Sequence, residues 1–388
     1  MDNLTHTLFA FTLAGTSLRR AGRGTTAALV VASSAPDLDI VSALAGGGIA
    51  YLRAHRGPTH GLLGVLVLGA AVGAAVWLWL MATARRRGRR RDRASAGDRS
   101  GLQTDASLTA LVGISMLGVL LHMLMDLPTS YGTRLFSPFS WRWYAADWLP
   151  IIDIYLLLTL ALGLIFARLQ PEKRHRVTSA VLLLMAVNYG LRAASHQVAL
   201  GRALRAVEAR RLKPCEAGGP QNAASLLVTW ERVELPGDGF PAGAPRPCLV
   251  EAAAIPTFLS PFHWRLVTRY EGGYELREID LLEGRLAAGG RPGGGGPQIL
   301  TVRFPDQRNQ WVARAEQAPT ARSFLRFARF PAARTFTDQV GVTTVRWSDV
   351  RFAGGLTTLV DARGDPAPFT VTVRIDASGR ILSERLGQ

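Results

Sequence analysis

Cysteine is scarce in this chain: 388 residues hold two, Cys215 and Cys248. They form neither a Cys-x-x-Cys pair nor a Cys/His zinc pattern, which excludes a zinc finger. Whether they pair is open from sequence alone; pairing requires that half of the chain to lie outside the cytoplasm. Lysine is equally rare, Lys173 and Lys213, so the net charge of +16 rests on arginine. No serine nucleophile elbow, P-loop or dinucleotide fingerprint occurs in the strand-to-helix context each requires. Metal-assisted chemistry is the enzyme class left with positive support. The first seven residues carry Asp2 but no Lys or Arg. A cleavable signal begins with positive charge, so none is expected.

What is present is long apolar runs, confined to residues before about 196. Leu62–Ala82, Ala106–Met125, Ile151–Ala167 and Val177–Ala194 read as four full membrane spans, each near the roughly 20 residues a bilayer requires. Residues 7–18 and 25–35 are too short to span alone and read as two short helices. The basic turns at 19–23, 85–93 and 168–176 all fall on one side of this layout, which the positive-inside rule makes cytoplasmic. The densest block, Arg85–Arg93, directly follows an apolar run. It therefore reads as a topology signal within a cytoplasmic loop at 83–105, and no nucleic-acid partner is expected.

The fold class expected is an α-helical membrane domain over 1–196, then a mainly β domain over 221–388 outside the cytoplasm. An amphipathic helix and linker over 197–220 joins them. Strand-like runs lie at 225–235, 248–254, 264–270, 274–280, 299–304, 342–352 and 369–375, separated by breaks such as Gly289–Pro297. Asp376-Ala377-Ser378-Gly379 reads as the last hairpin turn, and segment 305–330 is undecided between helix and loop.

The opposite ends of the spans carry His6, Asp37, Asp39, His55, His60, His122, Asp126, Asp153 and His196. Five of the seven histidines thus reach one level, although the layout was set by arginine alone. Imidazole and carboxylate together suit zinc, iron or manganese. His122-x-x-x-Asp126 places two such groups one helical turn apart on one face; the blander reading is a buried hydrogen-bonded pair. Pro36-Asp37-Leu38-Asp39 is by itself an ordinary turn. With a metal, one carboxylate binds while the other orients a water or a histidine. In His55-Arg56-Gly57-Pro58-Thr59-His60 the Gly-Pro bend lets the two histidines converge, and Arg56 offers a fork that matches phosphate or carboxylate. His6 is balanced between ligand and helix-start residue. Asp153 reads as outer support for the ligands. Arg134 falls in an interfacial aromatic loop, where it either faces a substrate or is one of the polar residues any such loop contains.

These motifs, with Thr5-His6 and Thr129-Ser130-Tyr131-Gly132-Thr133, resemble the YdjM-like family over about residues 1–200. That family comprises bacterial inner-membrane proteins described as metal-dependent hydrolases, distantly similar to zinc-dependent phospholipase C. The resemblance implies that His122 and Asp126 are ligands, completed by His60, His55, one of Asp37 and Asp39, and His6. It implies one or two divalent ions, zinc first and manganese second, and a metal-activated water with Asp37 or Asp39 accepting the proton. A recessed site at the membrane surface suggests a lipid-like or phosphoester substrate. Two other readings stand beside this one. A metal transporter needs a polar path through the spans, where only Asn188 and a few Ser and Thr lie. A membrane-anchored partner-binding protein would use the metal structurally.

Overall fold

The computed structural model describes residues 1–91, 105–209, 215, 226–231, 248–282, 301–352 and 369–387. The chain divides into two units. The first comprises Met1–Ile40, Ala54–Ala145 and Ile151–Gly190; the second comprises Val41–Arg53, Ala146–Pro150 and Leu191–Gln388.

In the first unit, α1 (Asn3–Ala14) starts where the Asp2 carboxylate accepts the Thr5 N–H at 2.9 Å. A short turn leads to α2 (Thr25–Ser34), which stops as Pro36 enters the 3₁₀ turn Pro36–Val41. The helix α3 (Ser42–Ala54) is grouped almost wholly with the second unit. It contains Gly46-Gly47-Gly48, a run that by sequence alone marks a flexible loop. Only Gly46 and Gly47 leave helical geometry, and the chain bends there. A second 3₁₀ turn, Pro58–His60, leads into α4 (Leu62–Arg91). Then come α5 (Leu108–Asp126), the short strand β1 (Trp143–Ala145), α6 (Ile154–Leu169) and α7 (Arg174–Ala209).

Among the described residues three helices are long and apolar enough to cross a membrane: Leu62–Arg86, Leu108–Asp126 and Pro171–Glu208. The pair Thr25–Ser34 and Pro36–Ala54 qualifies only when taken together. Ile154–Leu169, expected as a full span, is a shorter apolar helix of 16 residues. Asp153 caps it by accepting the Leu156 N–H, so the span read from Ile151 loses its first turn.

The core of this unit is built from small side chains. Ala10, Ala14, Ala28 and Leu29 pack with Val76, Leu80, Leu111 and Ile114. Apolar lipid gives helices no hydrophobic drive to associate, so close van der Waals approach must hold them. A Cβ on Gly118 would come within 2.9 Å of the Ala32 Cβ, and one on Gly73 within 2.5 Å of the Val112 Cα. Gly73→Leu is therefore expected to overpack α4 against α5 and destabilise by about 1–3 kcal/mol. The loss is read as an earlier thermal transition in detergent. Gly113→Leu, where a Cβ meets nothing within 4 Å, is the matched control.

Chain direction sets the site. The start of α1, the end of α2, the entry to α4 and the end of α5 meet at one end of this unit. His6, Ser33, His60 and His122 stand there. The other end carries the Arg23–Asp105 ion pair at 3.0 Å.

In the second unit, β2 (Val228–Trp230) precedes two four-stranded antiparallel sheets. One runs β3 (Leu249–Pro256), β4 (His263–Tyr270), β5 (Gly273–Asp280), β6 (Thr301–Pro305). The other has spatial order β10 (Ile381–Gly387), β9 (Thr370–Ile375), β8 (Thr343–Asp349), β7 (Pro331–Thr337). Segment 305–330 resolves into α8 (Gln310–Ala315) and α9 (Pro319–Phe327). Asn309 caps the first, and Pro319 opens the second with its φ already fixed. The turn at Asp376–Gly379 joins β9 and β10 as expected, with Gly379 at φ +84°. The helix expected from residue 197 continues α7: its Ala199, Leu200 and Ala203 pack on Ala254, Trp264 and Leu266. The loop at 92–104, the linker around Cys215, residues 232–235 and Gly289–Pro297 lie outside the described residues. Cys215 and Cys248 are joined in a disulfide.

Candidate metal centre

His122 is the hub of the site. It sits on the last turn of α5 and is fully buried. Its Nδ1–H donates to the Ser33 carbonyl at 2.7 Å, a group exposed because α2 ends there. That bond fixes the tautomer and leaves the Nε2 lone pair facing inward. Nε2 lies 3.5 Å from Asp126 Oδ2, one turn on, and 3.7 Å from Asp37 Oδ1. The His6 ring stacks on His122 with centroids 3.8 Å apart.

His60 completes the cluster from the entry to α4. Its Nε2 is 3.2 Å from Asp37 Oδ1 and 3.6 Å from Asp126 Oδ2. On its other nitrogen, Thr59 Oγ1 lies at 3.0 Å and Asp39 Oδ2 at 3.4 Å. Burial, ahead of the neighbouring His122, pushes the His60 imidazole down to about 4. It is thus neutral near pH 7, the form that ligates metal.

Among the described residues, two sets of side chains could hold an ion: His6, Asp37 and His122, and His60, His122 and Asp126. The cluster also contains buried polar atoms without a hydrogen-bond partner, namely both His6 ring nitrogens, His122 Nε2, Asp37 Oδ2 and Asp126 Oδ2. Buried polar groups are ordinarily satisfied, and an ion at this convergence would satisfy them. A tetrahedral ion with bonds of about 2.0–2.2 Å separates its ligands by about 3.3–3.6 Å. Within one set, His60 Nε2 and His122 Nε2 lie 3.6 and 3.5 Å from Asp126 Oδ2, which matches that spacing. The residues present therefore fit a divalent metal.

The structure separates the two carboxylates of the Pro-Asp-x-Asp turn. Asp37 stands in the cluster. Asp39 lies behind it, accepting the Arg56 backbone N–H at 3.1 Å and facing His55 Nδ1 at 3.1 Å. His55, expected as a ligand, is in neither ion-holding set; it meets His60 and Tyr131 edge-on. Arg56 is buried, and its guanidinium donates to Asp126 Oδ1 at 2.9 Å, Thr129 Oγ1 at 3.0 Å and the Gly132 carbonyl at 3.1 Å. The Met1 amine also contacts Asp126 Oδ1. Asp126 thus has Oδ1 held by the two cations, with His6 Nε2 at 3.4 Å, and Oδ2 directed at His60 and His122. Arg134 is buried between the rings of Trp141 and Trp143, 5.2 and 4.2 Å from their centroids. Asp153 caps α6, and His196 packs against Trp264 in the second unit. Sequence reasoning missed Ser33, Thr129 as a partner of Arg56, and Tyr131. The Ser33 contact acts through a backbone carbonyl and leaves no side-chain signal.

The sequence profile of the YdjM inner membrane protein family matches residues 1–198. The uncharacterized protein YfhP of Bacillus subtilis (strain 168) is 23% identical over 313 residues, covering 72% of this chain and 86% of YfhP. No solved structure matches.

Proposed function

The chain belongs to the YdjM inner membrane protein family, and on that premise we propose that it is a membrane-bound, metal-dependent hydrolase of a phosphoester or lipid-like substrate. The observation that carries this reading is the buried set of orphaned imidazole and carboxylate atoms around His122. Zinc suits a donor set of histidine and aspartate, with manganese the next choice. One ion is favoured over two, because both sets draw on the single inward nitrogen of His122.

A bound ion of this kind supplies Lewis-acid polarisation and an acidified water. The protein supplies the rest. Ser33 and Asp39 orient His122 and His60 from outside, and Arg56 holds Asp126 in place through Oδ1. Asp37 and His55, each 12% exposed at the side chain, are the parts of the cluster nearest to solvent and mark its opening. Asp37 is accordingly the carboxylate placed to take up a proton on the substrate side. The Cys215–Cys248 disulfide supports an extracytoplasmic position for the C-terminal unit. The basic turns support a cytoplasmic position for the opposite ends of the spans.

The test is metal content by mass spectrometry on detergent-purified protein, beside His122→Ala and Asp126→Ala. Near one zinc or manganese per chain, lost in both variants, is expected, with chelator-sensitive hydrolysis of a soluble phosphodiester. Wild type that binds no divalent ion after reconstitution would sink the reading. Stoichiometric metal without turnover of phosphodiester or phospholipid would favour a non-catalytic metal-binding protein.

A further inference from the structure

The loop after α5 is held against the entry to α4. The Leu62 N–H, first in that span, donates to the Leu135 carbonyl at 3.0 Å, and the Arg134 N–H donates to the Arg56 carbonyl at 3.1 Å. A Cβ on Gly61 would come within 2.7 Å of the Ser137 carbonyl oxygen, so only glycine permits this approach. The loop is therefore fixed at the depth where the span begins. Among the described residues its tip leaves apolar side chains exposed: Phe139 is 85% exposed, and Phe136 and Trp141 are about half exposed. The first turns of α4 continue that apolar surface through exposed Leu62, Leu66 and Val67.

The same loop lies beside the opening of the metal cluster. Trp141 stands 3.6 Å from where a Gly57 Cβ would be, two residues from His55. On the Asp37 side, Leu38 is 63% exposed and Ile40 is also exposed. A polar opening at Asp37 and His55 is thus bordered by apolar side chains continuous with a membrane-spanning helix. Aromatic side chains concentrate at the boundary between headgroups and acyl chains, and soluble surfaces rarely leave such patches bare.

We propose that the Phe136–Trp141 loop inserts into the bilayer interface and sets the opening of the metal cluster at the headgroup layer, so that the substrate is a membrane amphiphile entering head first from the leaflet. The substrate clause rests on the hydrolase reading; the position of the loop does not.

A nitroxide on Phe139→Cys tests the position, since both native cysteines are in a disulfide. In vesicles of phosphatidylethanolamine and phosphatidylglycerol, collisions with oxygen should exceed those with a water-soluble nickel chelate. The reverse should hold for a label on Ala377→Cys, in the exposed β9–β10 turn. Equal nickel accessibility at the two positions overturns the proposal. Phe139→Asp, which touches no ligand, should keep its metal and its turnover of a soluble phosphodiester. Its turnover of vesicle phospholipid should fall about tenfold or more, the equivalent of taking one aromatic side chain out of an apolar medium. Equal loss on both substrates overturns the entry route. A wild type inactive on both is a failure of the hydrolase reading, and the nitroxide result then decides the loop alone.

Discussion

Arg56→Met is expected to destabilise the metal-free first unit by about 3–5 kcal/mol, the range for removing one partner of a buried ion pair. The Arg56 side chain is almost wholly buried and cannot exchange its contacts for water. Its loss removes donors from the Gly132 carbonyl and Thr129 and leaves the Asp126 carboxylate with a weaker counter-charge. It also removes the stack on Tyr131, 4.7 Å from the ring centroid. The residue holds φ at +53°, an unfavourable backbone conformation for any side chain but glycine. The fold accepts that strain to bring the fork to this place. Arg56→Lys should recover only part of the loss, because an ammonium keeps the charge but cannot span three acceptors. Denaturant unfolding in detergent checks this with chelator present and then with saturating zinc. A metal bound to Asp126 offsets its charge and stabilises by mass action, so the deficit should shrink with zinc. A deficit of the same size under both conditions would mean that Asp126 does not share its charge with an ion.

Sequence pattern reaches only part of this site. His122-x-x-x-Asp126 was legible because helix geometry alone puts both groups on one face. The spans were legible from length and apolarity, except at α6, where Asp153 takes the cap position and shortens the helix. The division of labour between Asp37 and Asp39 was hidden. Carboxylates two apart share a face only in extended chain, and the backbone here is a 3₁₀ turn. At about three residues per turn they point apart, one into the cluster and one behind it. Arg56 was read as a substrate contact because a fork matches any oxyanion; its native acceptors are three elements distant in sequence and invisible to spacing. In the second unit most strands announced themselves by β-branched and aromatic runs. β7 did not, since Pro331-Ala332-Ala333 carries little strand propensity and is held by pairing with β8.

The second large effect is expected at Arg329, where removing the cation should cost about 3–5 kcal/mol in the second unit. Arg329 is buried and donates to Asp147 Oδ2 at 2.6 Å and to Glu251 Oε1 at 2.6 Å, with its guanidinium over the Phe330 ring. Arg329→Met leaves Asp147, itself buried, without its counter-charge. Replacing both ends, in Arg329→Met/Asp147→Asn, should recover part of the loss, because it removes the uncompensated buried charge while keeping a side chain that tolerates the φ of +59° at this position. Double-mutant coupling of about 1–3 kcal/mol is expected. Hydrogen exchange of the β7–β8 amides reads it locally, since the Arg329 N–H itself bonds to Asp349. Unchanged exchange in Arg329→Met would refute the assignment. The consequence reaches past stability. Asp147 lies inside the stretch matched by the family profile, whereas Glu251 and Arg329 lie well beyond its end at residue 198. A chain ended there would keep the carboxylate and lose its cation. Within the second unit, the β-rich part thus supplies the charge that lets Asp147, a residue of the family region, be buried.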